Sequence, residues 1–389
     1  MSDHRVLVAH NSYQMRGGED SVVDAEVALL RSHGHAVTEY RRHNDELQDM
    51  RTLSAALDTL WSRKTGRDLD AQFASTRPDV IHVHNTFPLI SPSLYWAAHR
   101  HGIPVVQTLH NFRLLCPQAM FLRDGKVCED CLGKLPWRGV VRSCYRHSLA
   151  QSSIVGGMLF LHRALKTWES KVAQFIALNE FCKSKFVEGG LPAARITVKS
   201  NFAASPIPVA RARSGFAYVG RLSPEKGIDV LAAALRALTN IKLRVAGTGP
   251  SEGLLIGLEG VELMGQRSRQ EVDRNLQESH ALIFPSICFE TFGLVIVEAF
   301  ANGTPVIASR IGVVPELVEE GVTGLLFTPG DAPELARKIR WAEDNPDAMA
   351  RMGGAARARF ESRYTPQRNY AQSLQIYRDA IESRSKTHK

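Results

Sequence analysis

Twelve short apolar runs, in two sets of six, alternate with helix-patterned segments along this 389-residue chain, and that rhythm leaves few folds open. The first set predicts strands at Val6–Ala9, Ala36–Tyr40, Asp79–His84, Pro104–Leu109, Phe175–Leu178 and Ile196–Lys199. The second predicts them at Phe216–Val219, Lys242–Ala246, Val261–Met264, Ala281–Phe284, Val306–Ala308 and Leu325–Phe327. Strand followed by helix, repeated, builds a mostly parallel sheet with helices on its faces, so each set predicts one Rossmann-like α/β domain. A chain of this length with 44% apolar residues can bury two cores of ordinary size. Asn201 to Ser214 holds Pro206, Pro208 and four alanines without periodicity and reads as the linker. The expected boundaries are therefore 1–205 for an N-terminal domain, 206–365 for a C-terminal one and 366–389 for a terminal helix, whose pattern runs from Tyr364 to Arg384. No repeats or low-complexity tracts interrupt this order.

Two carboxylates stand eight residues apart where one of these strands gives way to a helix. Ala281 to Pro285 reads as a buried strand, and Leu294 to Asn302 as a helix closed by Gly303. Glu290 then lies on the loop and Glu298 on the helix. Backbone N–H groups near Phe292, Gly293 and Leu294 fall where a helix start favours phosphate, and a carboxylate on the first turns can accept paired hydrogen bonds from ribose hydroxyls. The alternative is an amphipathic helix with one solvated glutamate. Upstream, Phe216 to Leu231 reads as strand, glycine turn and helix start, with Arg221 and Lys226 flanking the turn. A planar fork and a flexible point charge suit the two phosphates of a nucleoside diphosphate. Lysine is disfavoured at a helix start unless an anion answers it. Near the N-terminus, Gly17 and Gly18 follow the first strand and permit close backbone approach before a helix from Asp20 to Arg31; a glycine pair alone is equally an ordinary loop.

Val219-Gly-Arg-Leu-Ser-Pro-Glu-Lys-Gly227, Ala246-Gly-Thr-Gly-Pro250 and the Glu290/Glu298 block together resemble the family-4 retaining glycosyltransferases of GT-B fold, and the likeness extends over nearly the whole chain. Arg16-Gly17-Gly18-Glu19 resembles that family's glycine-rich donor-phosphate loop. The resemblance implies two Rossmann-like domains facing each other across a cleft, the first for acceptor and the second for nucleotide sugar, with the last helix crossing back to the first. It implies transfer of a sugar from a UDP- or GDP-linked donor to a hydroxyl of a glycan or lipid-linked acceptor, with retention of configuration, in cell-surface polysaccharide or glycolipid biosynthesis. Arg221 and Lys226 would neutralise the departing diphosphate, Gly17 and Gly18 would meet its distal phosphate, Glu290 would orient sugar hydroxyls and Glu298 would hold the ribose. His110, just after the fourth strand, matches the family histidine that faces the transferred sugar; a structural histidine is the other reading. No cofactor is required for catalysis in this scheme. A GT-B-like epimerase or phosphorylase, or a non-catalytic sugar-nucleotide or glycan-binding scaffold, would share the same residues, and release of free nucleoside diphosphate separates them from a transferase.

Side chains at the carboxyl ends of strands lie where ligands of open α/β sheets bind. By that rule His84 and Asn85 are candidates for the acceptor side, while His82, mid-strand, is expected to be packed. An insertion near 111–150 carries Cys116, Cys128, Cys131 and Cys144, enough thiolates for a tetrahedral structural zinc. Buried apolar cysteines are the competing reading, redox or disulfide chemistry is a third, and His147 is a substitute ligand in the first. Lys134 to Lys171 holds seven Lys/Arg against one acid, interleaved with Trp137, Tyr145, Phe160 and Trp168. That pattern fits either a face resting on anionic lipid or an ordinary basic surface over a core helix. Nucleic acid ranks last, because no recognised module accompanies the charge. Asp68-Leu-Asp70 mimics a metal-binding Asp-x-Asp but sits in a helix-like stretch away from a strand end. The +8 net charge is compatible with an acidic partner without naming one. No secretory signal and no run of eighteen apolar residues is read, and six cysteines at this length do not suggest a secreted disulfide framework, so a cytoplasmic protein is expected.

Overall fold

The computed structural model describes residues 4–204, 206 and 213–387, with the side chains of 384–387 left aside; half of the expected linker lies outside that set. The chain divides into two units. One comprises residues 1–120, 129–200 and 369–389, the other 121–128 and 201–368. In chain order the first eight strands are β1 (Arg5–Ser12), β2 (Ala36–His43), β3 (Val80–Asn85), β4 (Val105–Thr108), the short pair β5 (Leu122–Arg123) and β6 (Lys126–Val127), then β7 (Gln174–Ala177) and β8 (Ile196–Val198). The next six are β9 (Phe216–Val219), β10 (Leu243–Ala246), β11 (Val261–Gly265), β12 (Ala281–Phe284), β13 (Val306–Ser309) and β14 (Gly324–Phe327).

The first sheet runs β2-β1-β3-β4-β7-β8 and the second β11-β10-β9-β12-β13-β14. Every pairing within both is parallel. Parallel strands need crossovers that bury both sheet faces, which is why β3, β4, β12, β13 and β14 are buried at every position. The twelve runs expected from sequence are the twelve strands of these sheets, with no end shifted by more than three residues. Strand order reverses between β1 and β3 in the first sheet and between β9 and β12 in the second. Such switch points leave a crevice beyond the carboxyl ends of the two strands, the default ligand position in an open α/β sheet.

The terminal helix Pro366–Thr387 contributes Leu374, Ile376, Tyr377 and Ala380 to the core of the first unit, beside Val6, Val8, Val27 and Val80. The cysteine-rich insertion is not one piece of the first unit, as the sequence suggested. Its middle, Phe121–Cys128, belongs with the second unit, where Phe121 meets Phe289 edge-on at 6.3 Å between ring centres. There β5 and β6 form an antiparallel hairpin closed by Asp124 and Gly125, both at positive φ. Asp-Gly supplies the two left-handed residues such a turn needs, but two-residue strands are too short to announce themselves by periodicity.

Candidate functional site

In the second unit the loops leaving β9 and β12, the switch-point strands, are fastened together before any side chain acts. Gly227 has φ +69°, and a Cβ there would lie 1.9 Å from the carbonyl oxygen of Pro285. Gly247, at φ +139°, would place a Cβ 1.9 Å from the carbonyl of Gly220. Only glycine permits these backbones to touch. The Glu225 carbonyl then accepts the Ile287 N–H at 3.1 Å. On this platform Lys226 Nζ donates to Glu290 Oε1 at 2.6 Å, and Ser286 Oγ donates to the same oxygen at 2.7 Å. Burial pulls the Lys226 ammonium down, but Glu290 outweighs it and the pKa is raised, so the lysine stays charged. The Lys226 charge is thus paired with Glu290 and half-buried, beside a Cys288 thiol that burial pushes up to about 12. Arg221 is exposed, and its guanidinium has no hydrogen bond or ion pair among the described residues; its carbonyl accepts from the Tyr218 hydroxyl at 2.8 Å.

Gly293, at φ +73°, is the N-cap of the helix Leu294–Ala301. It turns the chain into the helix, whose first-turn Ile296 N–H donates to the Gly293 carbonyl at 2.9 Å. Phe292 is buried and anchors that turn against Tyr364, ring centres 6.1 Å apart. One turn on, Glu298 is largely buried and pairs with Arg269, which also holds Asp273 at 3.0 Å. Burial raises the Glu298 pKa and Arg269 offsets it only in part. Lys226 on the β9 loop thus meets Glu290 on the β12 loop, which also carries the glycine cap, with Glu298 on the helix that follows.

In the first unit Gly17 caps the helix Gly18–Ser32 in extended conformation, and its N–H is taken by Asp20 Oδ2 at 2.8 Å. A Cβ on Gly17 would make only ordinary contact, 3.8 Å from that carboxylate. Nothing in the protein's own packing therefore demands glycine at this position. Burial pushes the Glu19 carboxyl up to about 7, and Tyr13 donates to it at 2.8 Å. Asp20 also meets the buried His10 at 2.9 Å. Arg113, missed from sequence, lies with its guanidinium 4.5 Å from the Phe87 ring centre and 4.9 Å from that of Tyr145; burial lowers its pKa.

His110 is buried at the end of β4, and its Nε2 lies 2.8 Å from His84 Nδ1. The acceptor-side reading of His84 and Asn85 is corrected by their surroundings. Both nitrogens of His84 face protein groups, and the Asn85 amide is spent on the Asn11 carbonyl at 2.9 Å and the Phe87 N–H at 3.0 Å. His82 is packed, as its mid-strand position suggests.

The comparisons with known proteins point the same way. The model "Glycosyl transferases group 1" matches residues 210–359, and "Glycosyltransferase Family 4" matches 16–203. The chain belongs to the family-4 glycosyltransferases of GT-B fold. A glycogen synthase of Mycobacterium tuberculosis is 29% identical over 325 residues, 78% of this chain and 69% of that protein. Among solved structures, a sucrose-phosphate synthase from Thermosynechococcus elongatus superposes with TM-score 0.74 at 19% identity, over 98% of this chain and 100% of that one. The Anabaena protein HepE in complex with UDP-glucose gives 0.66 at 19%, over 98% and 100%.

Within this glycosyltransferase, Lys226 and Glu290 of the expected donor residues are in direct contact, whereas among the described residues no three of the four cysteines come close enough to share one ion. Cys116 and Cys131 are buried, Cys128 and Cys144 half-buried, and Cys128 belongs to a different unit from the other three. Among the described residues, three or more metal-capable side chains approach one another closely enough for one ion only at Glu26, His82 and His84. Asp68 and Asp70 are consumed by ion pairs with Lys64 and Arg100, both at 2.8 Å. No helix among the described residues is long and apolar enough to cross a membrane. Sequence reasoning missed Glu26 and Lys199, a buried ion pair behind the histidines. The signal was present: Glu26 interrupts the apolar stripe Val22, Val23, Val27, Leu30 on its helix.

Proposed function

We propose that this glycosyltransferase retains configuration as it moves a sugar from a UDP- or GDP-linked donor to a hydroxyl of a glycan or lipid-linked acceptor, in cell-surface polysaccharide or glycolipid biosynthesis. The observation that carries the proposal is the Lys226–Glu290 pair at 2.6 Å, at the β9/β12 switch point where a ligand is expected. A charged, half-buried lysine held by a single carboxylate can turn to a diphosphate at little cost, and Glu290 is then released to accept from sugar hydroxyls. Arg221, exposed on the same loop, adds a second cation. As the bond from the anomeric carbon to the diphosphate breaks, both meet charge that grows on the leaving oxygen. The acceptor oxygen bonds to the same face of that carbon, and its proton passes to the departing phosphate, leaving nucleoside diphosphate and glycoside. Glu298 accepts from the ribose in place of Arg269. Gly17 is kept small for the distal phosphate, which accounts for a glycine that internal packing does not require. No metal is needed when these cations neutralise the leaving group.

A membrane-bound acceptor is supported by the surface of the first unit. Helices Thr52–Leu60 and Trp137–Val141 both pack on Leu149–Ala164. The three leave Leu53, Leu57, Trp137, Val141, Leu149 and Phe160 exposed, with Lys134, Arg146 and Lys166 nearby in sequence. Apolar side chains beside cations fit an anionic bilayer face. Vesicles containing phosphatidylglycerol should sediment the protein at low salt and neutral vesicles should not; equal behaviour removes this part of the proposal. The transfer itself is tested by incubating the protein with a panel of nucleotide sugars and candidate acceptors. Acceptor-dependent nucleoside diphosphate release, with the new linkage keeping the donor's anomeric configuration by NMR, is expected. An inverted anomeric signal refutes retention, and a nucleotide that binds without ever being released as diphosphate favours the scaffold reading.

A further inference from the structure

In the first sheet the β1/β3 switch point is where a ligand of this unit is expected, beyond the carboxyl ends of the strands. Tyr13 follows β1 there, Phe87 follows β3 and Arg113 follows β4. The guanidinium carbon of Arg113 lies 4.5 Å from the Phe87 ring centre and 4.9 Å from that of Tyr145, and the two rings meet edge-on at 5.7 Å. Each part of this clamp is pinned at its own backbone. The Arg113 N–H donates to Asn111 Oδ1 at 3.0 Å, the Phe87 N–H to Asn85 Oδ1 at 3.0 Å and the Tyr145 N–H to Ser152 Oγ at 2.9 Å. The arginine is therefore placed before anything binds, and a ligand does not have to order it.

What the clamp leaves out is a counter-charge. Nη1 donates to the Pro117 carbonyl; among the described residues Nε and Nη2 donate to nothing, and no carboxylate is ion-paired with the guanidinium. Aromatic rings answer the charge but leave the N–H groups unmet. The side chain is half-buried and burial lowers its pKa, so the cation is desolvated without being neutralised. Arg146 stands 5.6 Å from the same Tyr145 ring, exposed and also without an ion pair among the described residues. Two cations on one ring repel each other and together favour an anion. Glu19, the acid that Arg113 feels, does not supply it. Its carboxylate accepts from the Tyr13 hydroxyl at 2.8 Å, its Oε1 is buried without a hydrogen bond, and burial raises it to about 7. A carboxyl half-protonated at neutral pH opposes an incoming anion less than a full carboxylate would.

We propose that Arg113, clamped by Phe87 and Tyr145 with Arg146 beside it, forms an oxyanion subsite of the first unit that takes a phosphoryl or carboxylate group carried by the acceptor. This rests on the reading that the first unit receives the acceptor, and it narrows that acceptor to an anionic one. The planar fork of arginine matches two oxygens of either group. A merely structural arginine, tacking the chain to the Pro117 carbonyl, would need one N–H and would not discriminate between charged and neutral ligands.

The test titrates the full chain with glucose 6-phosphate, glucuronate and glucose, with excess UDP and GDP present to fill the donor site. Calorimetry reads affinity, and a ¹⁵N-arginine spectrum reads the Arg113 Nε–H signal, assigned by its loss in Arg113→Lys. At least one anionic probe should bind about 10- to 100-fold more tightly than glucose, the scale of charged hydrogen bonds, and should move that signal. Which of the two does so tells a phosphoryl acceptor from a carboxylate one. Arg113→Gln should abolish the preference. Arg113→Lys keeps the charge and can still reach the Pro117 carbonyl, yet should lose most of it, with UDP and GDP affinities unchanged. Equal binding of all three probes, binding of none, an unmoved signal, or a preference that survives in folded Arg113→Gln overturns the proposal. A loss of nucleotide affinity in Arg113→Lys also overturns it, because the arginine would then serve the donor. An Arg113-dependent preference in a protein that releases no nucleoside diphosphate leaves the subsite standing and removes the transferase reading. Transfer to neutral acceptors that Arg113→Lys does not slow does the reverse.

Discussion

Replacing Glu298 by alanine separates a ligand-binding carboxylate from a structural one, because the structure sets different magnitudes for the two roles. Within the protein, Glu298 offers Arg269 one ion pair. Arg269 is two-fifths exposed and keeps Asp273 at 3.0 Å. Removing one carboxylate from an arginine that retains another and still touches water is a partly screened loss of about 1 kcal/mol or less. Two gains offset it: a buried carboxylate whose pKa is raised by burial is costly to keep ionised, and alanine is the best helix former. Stability should therefore change little. If Glu298 accepts from ribose, its loss removes charged hydrogen bonds of about 1.5–3 kcal/mol, or roughly 10- to 150-fold in Kd. Isothermal titration of UDP and GDP into wild type and Glu298→Ala reads the second quantity, and urea unfolding reads the first. Unchanged affinity for whichever nucleotide binds the wild type, or a stability loss beyond about 3 kcal/mol, would refute the ribose assignment and make Glu298 a fold residue.

Lys226→Ala and Arg221→Ala should each lower turnover, by about 10²- to 10³-fold if each acts like a single transition-state donor; EDTA should not reproduce this, and activity abolished by EDTA and restored by Mg²⁺ or Mn²⁺ would show that a metal shares the task. Gly227→Ala forces a side chain into positive φ, at about 1–2 kcal/mol, and against a backbone carbonyl that cannot rotate away, so urea unfolding should show a loss of at least about 3 kcal/mol; a loss under about 1 kcal/mol would mean the two loops are not fastened as described. Glu19 is raised to about 7 by burial, so its contribution to stability is full below its unfolded pKa near 4.5 and disappears as pH rises through about 7. Glu19→Gln should flatten that decline, and an unchanged pH profile of the melting temperature would contradict the shift.

The sheet strands, and the turns that carry the proposed donor residues of the second unit, were legible because backbone demands had already constrained the sequence. Gly227 must be glycine to clear Pro285, Gly247 to clear Gly220, and Gly293 adopts positive φ at the start of its helix. Each stands beside a side chain that a ligand would use, so the motif records loop geometry and chemistry together. The Asp124-Gly125 hairpin also carried its signal in the turn, but its strands were too short to be noticed. A Cys-x2-Cys spacing fixes proximity only when the intervening chain folds as a knuckle, so the cysteine spacing carried no comparable record; among the described residues no three of the four come close enough to share one ion.

The histidines needed the third dimension throughout. His84 and Asn85 were placed correctly at the end of β3, and position alone suggested that they face a ligand. Which way such a residue turns depends on what waits on the other side, and that information sits 58 and 115 residues away, in Glu26 and Lys199. A buried carboxylate beside a buried ammonium costs desolvation, and replacing such a pair by apolar side chains is often neutral or stabilising. Here the pair places Glu26 Oε2 3.7 Å from both His82 Nδ1 and His84 Nε2. The interruption of the stripe Val22, Val23, Val27, Leu30 by Glu26 is thus the linear trace of a buried polar cluster. It is readable once a rule is applied that periodicity analysis omits: a single acid within a buried helical face is a statement about the residue it points at.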